Sequence, residues 1–226
     1  MSIITRWQRP ISVLLIKILC STLCCALCAE IKAEEKTHNR FGINGALTSS
    51  TSWLLEISYH YMLNKYIGLG GSAGTWEVYF EEGWASGKNW SIDDDYNKPW
   101  NVYIRPSVIL RTPSIKYRAC SWSLIAEPGV MLNLPHHSVC INTTPHWPAI
   151  EPKFISTTKG QWLAVDLRVG VNLDYGPCSF SAGYLRSNLD VYSQRRHLSY
   201  NGISFEEFYP AKPTMRGAYL SCSYNF

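Results

Sequence analysis

Residues 162–184 read W-L-A-V-D-L-R-V-G-V-N-L-D-Y-G-P-C-S-F-S-A-G-Y. Apolar side chains occupy every second position from Leu163 to Leu173, and polar or small side chains stand between them. A period of two predicts a β-strand with one apolar and one polar face. The Asp-Tyr-Gly-Pro motif at 174–177 is typical of a turn, and the alternation resumes at Cys178. The stretch therefore predicts a β-hairpin whose first strand, 163–173, has 11 residues.

The length of this strand suits a membrane better than water. A transmembrane β-strand needs about 9–11 tilted residues, whereas strands of soluble proteins most often have about 5–6. The polar face carries Asp166, Arg168 and Gly170 but no Lys, the residue expected on a water-exposed face. The hairpin is therefore predicted to turn its apolar face toward lipid and its polar face toward a narrow lumen.

The N-terminus predicts export. Arg6 and Arg9 precede a mostly apolar segment, 11–29, and small residues follow it, which is typical of a secretory signal peptide. We assign residues 1–33 to this signal, with an approximate cleavage site, and 34–39 to a short lead-in. The alternative is an uncleaved anchor helix, since 19 residues could just span a bilayer. The lead-in is followed by the barrel at 40–226, and no other segment of the mature chain is apolar enough for a transmembrane helix.

The charge balance of the mature chain bears on nucleic-acid binding. The signal holds four of the 21 basic and one of the 17 acidic residues, which leaves 17 basic and 16 acidic. This balance gives no indication of nucleic-acid binding.

Four of the eight cysteines remain in the mature chain, and Cys178 and Cys222 are the candidates for a disulfide because they are predicted on one face near the same end of adjacent strands.

The alternation recurs along the chain and predicts eight strands. They cover 41–47, 53–63, 66–76, 100–111, 119–133, 163–173, 178–188 and 214–226. Short turns follow the second, fourth and sixth strands, and long connections at 77–99, 134–160 and 189–213 follow the third, fifth and seventh. Pro106 is predicted to mark a bulge. Even strand number, short turns at one end and long loops at the other are typical of bacterial outer-membrane barrels.

The last strand carries the most specific resemblance. It reads G-A-Y-L-S-C-S-Y-N-F and ends in Phe226, with Tyr224 and Leu220 on the same face. The chain resembles the small OmpA/OmpX-type, porin-like outer-membrane β-barrel family over about residues 40–226. The resemblance implies an all-β, eight-stranded antiparallel up-and-down transmembrane barrel in the bacterial outer membrane. It also implies that Leu220, Tyr224 and Phe226 form the signal read by the barrel-assembly machinery during insertion.

Charged side chains collect on the predicted lumen face. Eight strands leave an interior just wide enough for side chains, and buried charges need partners. We therefore expect a mutually paired network and a filled lumen rather than a conducting ring. The predicted lumen residues are Glu56, His60, Arg105, Arg111, Glu127, Asp166 and Arg168.

A catalytic alternative comes from His197, Ser199 and Glu206. The chain resembles outer-membrane lipid A deacylases in strand number and terminal Phe, and such enzymes use a His, a Ser and an acidic residue as base, nucleophile and orienting group. This run departs from their motif because Asn does not directly follow Ser and because the run lies in a predicted loop. No catalytic residue is assigned from this run, and a lipid A deacylase-type hydrolase is kept as an alternative function.

Metal sites are not expected. Asp93, Asp94 and Asp95 could bind a hard cation, but no further ligand accompanies them. His136, His137, Cys140 and His146 match no standard metal spacing. The sequence predicts no metal and no cofactor.

A soluble carrier is the other alternative. A lipocalin-like barrel would turn Leu163, Val165 and Leu167 inward around an apolar ligand, but the strands lack the Lys that a water-facing surface would carry. The sequence therefore favours a monomeric outer-membrane barrel with a structural or surface-interaction role. We expect outer-membrane lipid around this barrel, and loops that face outside the cell and meet a surface partner.

Overall fold

The computed structural model describes residues 38–93, 101–134, 136–143 and 153–226. The strands in chain order are β1 (Asn39–Thr48), β2 (Ser52–Met62), β3 (Ile67–Val78), β4 (Ser86–Gly87), β5 (Trp90–Asp93), β6 (Val102–Arg111), β7 (Ile115–Tyr117), β8 (Cys120–Leu134), β9 (His137–Asn142), β10 (Lys153–Thr157), β11 (Leu163–Tyr175), β12 (Cys178–Ser187), β13 (Ser199–Tyr200), β14 (Ile203–Ser204) and β15 (Met215–Asn225). A one-turn helix, α1 (Ser193–Arg196), and a 3₁₀ turn, Phe205–Glu207, precede β15. The signal assigned to 1–33 lies outside the described residues.

Eight of these strands close into a barrel. Their order is β11-β12-β15-β1-β2-β3-β6-β8, and β8 pairs again with β11, so every neighbour pair is antiparallel and no edge remains among them. The eight-stranded antiparallel barrel predicted from the alternation is confirmed. Both described ends of the chain, at β1 and β15, lie at the end of the barrel that carries the short turns, which we call the turn end.

The central hairpin differs from its prediction in length. The strand β11 has 13 residues because Asp174 and Tyr175, predicted in the turn, continue the ladder opposite Ser179 and Cys178. Only Gly176 and Pro177 connect the two strands, and Gly176 has φ +56°. Two-residue hairpin loops favour positive φ because their twist then matches that of the strands.

The faces are oriented as the alternation predicts. Leu163, Val165 and Leu167 are exposed on the outside, and Asp166 and Arg168 are buried inside. This orientation contradicts the lipocalin-like alternative, which required the apolar face to point inward.

Three details differ from the predictions, two in the strands and one at the candidate disulfide. The register between β6 and β8 is the same on both sides of Pro106, so this residue interrupts hydrogen bonding without forming a bulge. The connection after β6 contains β7, which pairs with the start of β8 and lengthens that hairpin. Cys178 and Cys222 are both free thiols, lying opposite Tyr224 and Phe180 respectively.

The three long connections do not remain loops. The strands β4, β5, β9 and β10 form a second sheet in the order β10-β9-β5-β4, and β13 pairs with β14. Together with α1 and the 3₁₀ turn they form a folded unit over one barrel mouth, which we call the cap; its end of the barrel is the cap end. No helix in the described ranges is long and apolar enough to span a membrane.

Candidate functional site: a filled barrel interior beneath a folded cap

Arg105 occupies the centre of the barrel. Its side chain is 0% exposed, and it projects from β6 toward the strands β8 and β11. Its Nε lies 2.8 Å from both carboxylate oxygens of Asp166, and its Nη2 donates to the carbonyl of Glu127 at 3.0 Å. Its Nη1 also pairs with the Glu127 carboxylate. One guanidinium therefore neutralises two buried carboxylates from two other strands.

Arg168 forms the second half of the network. Its Nη1 and Nη2 donate to the two carboxylate oxygens of Glu56 at 2.8 and 2.5 Å, which is the bidentate geometry that favours Arg over Lys. The Tyr103 hydroxyl donates to Glu56 at 2.5 Å, and the Asn44 amide donates to it at 3.2 Å. Arg168 Nε lies 3.4 Å from Asp166, so the two Arg-centred groups are continuous.

His60 joins the same network from β2. Its Nε2 lies 2.8 Å from the Ser107 hydroxyl, and that hydroxyl donates to Glu127 at 3.0 Å. The direct distance from His60 Nε2 to the Glu127 carboxylate is 3.7 Å. The residues predicted for the lumen on β2, β6, β8 and β11 thus meet in one cluster, apart from Arg111.

Near the turn end Arg111 pairs with Asp174, a residue that the sequence pattern predicts in the turn. Asp174 also accepts from Asn172 at 2.8 Å and Ser179 at 2.5 Å. Arg40 is buried and donates to Asn172 at 3.3 Å. Like Asp174, it is absent from the lumen residues predicted above. Both residues continue the lumen parity of their strands, and this parity could have identified them. With them the interior holds four Arg against four carboxylates: Arg40, Arg105, Arg111, Arg168; Glu56, Glu127, Asp166, Asp174.

Glycines provide the space for these side chains. A Cβ at Gly129 would lie 2.6–2.7 Å from the guanidinium of Arg105. A Cβ at Gly74 would lie 2.7 Å from Cγ of Glu56 and 3.0 Å from the Tyr103 hydroxyl. The small residues on the lumen face are therefore complementary in shape to the charged network.

Above the network the interior becomes apolar. Side chains from the upper barrel form one buried cluster with side chains of the cap. The barrel contributes Leu54, Trp76, Met131, Leu185 and Met215, and the cap contributes Ile92, Val139, Ile141, Leu198 and Phe205. This layer closes the cap end of the lumen to water.

Contacts between the three long connections hold the cap together. The strand β5 pairs with β9, which joins the first connection to the second. Trp90 stacks on Phe205 with ring centroids 5.8 Å apart, which joins the first to the third. Ion pairs of Arg195 with Glu81 and of Lys212 with Glu82 support the same junction. The cap is therefore a folded unit that shares its core with the upper barrel, rather than a set of independent loops.

Below the network a small cavity remains. It has a volume of about 10 Å³ and is lined by Arg40, Ser58, Ser181 and Tyr219, among others. That volume is about enough for one water molecule with polar partners. This cavity therefore has no room for a larger solute.

The candidate catalytic residues lie in the cap without forming a triad. Nδ1 of His197 lies 2.6 Å from the carbonyl of Ser193, in α1. Ser199 pairs through its backbone with Ser204, and Glu206 is exposed in the 3₁₀ turn. Among the described residues no hydrogen bond joins the side chains of His197, Ser199 and Glu206. The geometry gives the hydrolase alternative no support.

The candidate metal ligands are not assembled either. In the ranges that the structure describes, no group of three His, Cys, Asp or Glu side chains is placed to hold a metal ion. Asp94, Asp95 and His146 lie outside those ranges.

The outer surface defines the class of protein. In a bilayer every backbone polar group must be satisfied internally, so only helices and closed barrels span it. This barrel is closed, its exterior is apolar and its interior is polar. The chain is a closed eight-stranded β-barrel with the apolar exterior of a membrane-spanning protein.

Comparison with known proteins finds similar solved structures at low sequence identity. No protein-family model and no curated protein matches the chain. It is similar to the structure of Neisserial surface protein A, at 12% identity over 85% of this chain and 100% of that one, with a TM-score of 0.43. The attachment invasion locus protein Ail of Yersinia pestis follows at 11% identity, 85% and 100% coverage and a TM-score of 0.40. The N-terminal β-barrel domain of Pseudomonas aeruginosa OprF is 12% identical over 83% of this chain and 96% of that one, with a TM-score of 0.38.

Proposed function

We propose that the protein is a monomeric, non-conducting membrane anchor that presents its cap at the cell surface. The observation that carries this proposal is the sealed interior, in which fully buried Arg105 and its carboxylate partners lie beneath the apolar layer of the cap. A pore requires a continuous water path, and open channels belong to barrels of about 16 strands. The barrel therefore supports a structural or surface-interaction role with a partner still to be identified.

The orientation follows from the lengths of the connections. Outer-membrane barrels place short turns in the periplasm and long segments outside. Here the turn end carries connections of a few residues, and the cap end carries the second sheet, α1 and the 3₁₀ turn. We assign the cap to the cell exterior. Leu220, Tyr224 and Phe226, exposed on the last strand, serve as the signal for the barrel-assembly machinery.

Conductance tests the sealed interior. The purified protein, inserted into planar bilayers, should give no stable single-channel steps, while its heat-modifiable migration shows that the barrel is folded. Reproducible ohmic steps from folded protein would contradict the proposal.

Cysteine labelling on intact cells tests the orientation. Lys159→Cys, at the cap end, should react with a membrane-impermeant thiol reagent, and Lys65→Cys, in a turn at the opposite end, should react only after the cells are lysed. The parent protein with its own four described cysteines gives the background. The reverse labelling pattern would show that the cap faces the periplasm.

A further inference from the structure

Charged residues are nearly absent from the outer face of the barrel. Among the described barrel strands, only three outward-facing side chains are charged: Glu77 at the end of β3, Arg186 on β12 and Arg216 on β15. Arg186 and Arg216 lie directly opposite each other in the β12–β15 ladder. Two of the three charges therefore form one like-charged pair on adjacent strands.

This pair has no acidic partner. Arg186 lies opposite Leu167 on β11, and the backbone of Arg216 bonds to Ser49 on the other side. Within the part of the chain that the structure describes, neither guanidinium forms an ion pair or a side-chain hydrogen bond. Like charges directly opposite in a sheet are destabilising, so the pair favours a bound anion.

The position of the pair along the barrel indicates which anion. Arg216 lies eight positions before Tyr224, which is at the turn end. With a rise of about 3.3 Å per residue and a tilt of about 40°, the pair lies about 20 Å above that end. The apolar band of such barrels is about 25 Å tall, so the pair lies close to the boundary between hydrocarbon and headgroups.

The neighbouring side chains suit a lipid. Tyr184, two residues before Arg186 on the same face, is 47% exposed, and Leu167 beside the pair is 45% exposed. The site thus combines two guanidinium groups at headgroup level with an aromatic and an aliphatic side chain just below them. A phosphate accepts paired hydrogen bonds from Arg with favourable geometry, and one phosphate can contact two adjacent guanidinium groups.

We propose that Arg186 and Arg216 bind the phosphate group of a lipid in the outer leaflet, whose acyl chains pack against Tyr184 and Leu167. This proposal rests on the proposed orientation, in which the cap end faces the outside of the cell, but it does not depend on the sealed lumen. It gives the barrel a specific lipid contact on the β12–β15 side.

The experiment measures lipid-dependent stabilisation in detergent. Folded protein in zwitterionic micelles is titrated with diphosphorylated lipid A, with the dephosphorylated form or with inorganic phosphate, and the thermal midpoint of the heat-modifiable gel shift is followed. The phosphorylated lipid should raise the midpoint of the wild type most. In Arg186→Gln/Arg216→Gln its apparent affinity should fall about thirtyfold, the factor that two basic residues near a membrane surface supply.

Two further variants separate this site from general charge effects. Lys65→Gln/Lys116→Gln removes two exposed charges at the turn end and should leave the lipid effect unchanged. Arg186→Glu should raise stability without lipid, because opposite charges then face each other, and should abolish the phosphate effect. Equal stabilisation by the dephosphorylated lipid or by inorganic phosphate would overturn the proposal, as would an unchanged affinity in the double Gln variant.

Discussion

Replacing Arg105 with Met should be among the most destabilising changes in the barrel. Met keeps an unbranched side chain but leaves Asp166 and Glu127 buried without the guanidinium that contacts both. Removing one partner from a buried ion pair costs about 3–5 kcal/mol because the remaining charge is left uncompensated. Total stabilities of folded domains are about 5–15 kcal/mol, so this single change would remove a large share.

Equilibrium unfolding in urea measures this cost. The protein is folded into lipid vesicles, and the eight tryptophans that follow residue 33 report unfolding by fluorescence. Arg111→Met is the matched control, because its pair with Asp174 is partly exposed, with side-chain exposures of 12% and 24%. Water screens that pair, and we expect a loss of about 1 kcal/mol.

The comparison of the two variants decides the role of the network. A midpoint shift with an unchanged urea dependence assigns the loss to native stability. If Arg105→Met folds and is within about 1 kcal/mol of the wild type, or if it costs no more than Arg111→Met, the buried network does not stabilise the barrel and the reasoning is refuted.

Three further changes test other parts of the structure. Val169, near the middle of β11, is 42% exposed on the lipid face, so Val169→Arg places a charge in lipid. This variant should lower the free energy of unfolding in vesicles by about 2–4 kcal/mol. An unchanged free energy of unfolding would contradict the assigned faces. Gly74→Ala should cost at least about 1–3 kcal/mol, since its Cβ would lie 2.6 Å from a backbone oxygen and 2.7 Å from Glu56, whereas Gly45→Ala, with its nearest atom at 3.9 Å, should be close to neutral. Burial lowers the pKa of His137 in the cap to about 3, and repulsion from Arg195 lowers it further, so the neutral form stabilises the cap fully above about pH 6.5 and this stability is lost as the pH falls toward 3. The free energy of opening the cap should therefore fall by about 2 kcal/mol between pH 7.5 and 5, and proteolysis of the cap should rise. The variant His137→Gln should show a smaller rise in proteolysis.

The barrel strands could be predicted from the sequence because lipid and lumen impose opposite requirements on alternate residues. Along β11 the alternation from Leu163 to Leu173 is uninterrupted, and the structure places one set outside and the other inside. The ends were less certain, since turn residues such as Asp174 are also acceptable lumen residues. For the same reason Asp174 was missed as the partner of Arg111.

The cap could not be predicted in the same way. Five of the six residues of β9 are buried, on both faces of the strand, so its sequence shows no period of two. The strand β5 is similarly buried at Trp90, Ile92 and Asp93. Short strands covered on both sides cannot be distinguished from loops by periodicity, and their pairing depends on contacts between segments distant in sequence.

The pairing inside the lumen also depends on the closed barrel. The sequence indicated which charges face inward but not that Arg168 would reach Glu56, because that contact joins β11 to β2, four strands away in the barrel order. Strand tilt and stagger determine which residues meet across the lumen, and they are properties of the whole barrel.

The contact across the lumen suggests why a membrane barrel keeps buried charges at all. Lipid accepts any apolar side chain, so burial against lipid does not distinguish registers that differ by two residues. A slip of one residue would reverse the faces of a strand, and a slip of two would keep the faces but separate the charged partners. Arg105 fixes β6 against β8 and β11, and Arg168 fixes β11 against β2 on the opposite wall. These three contacts favour the one stagger at which β2, β6, β8 and β11 bring their charged partners together.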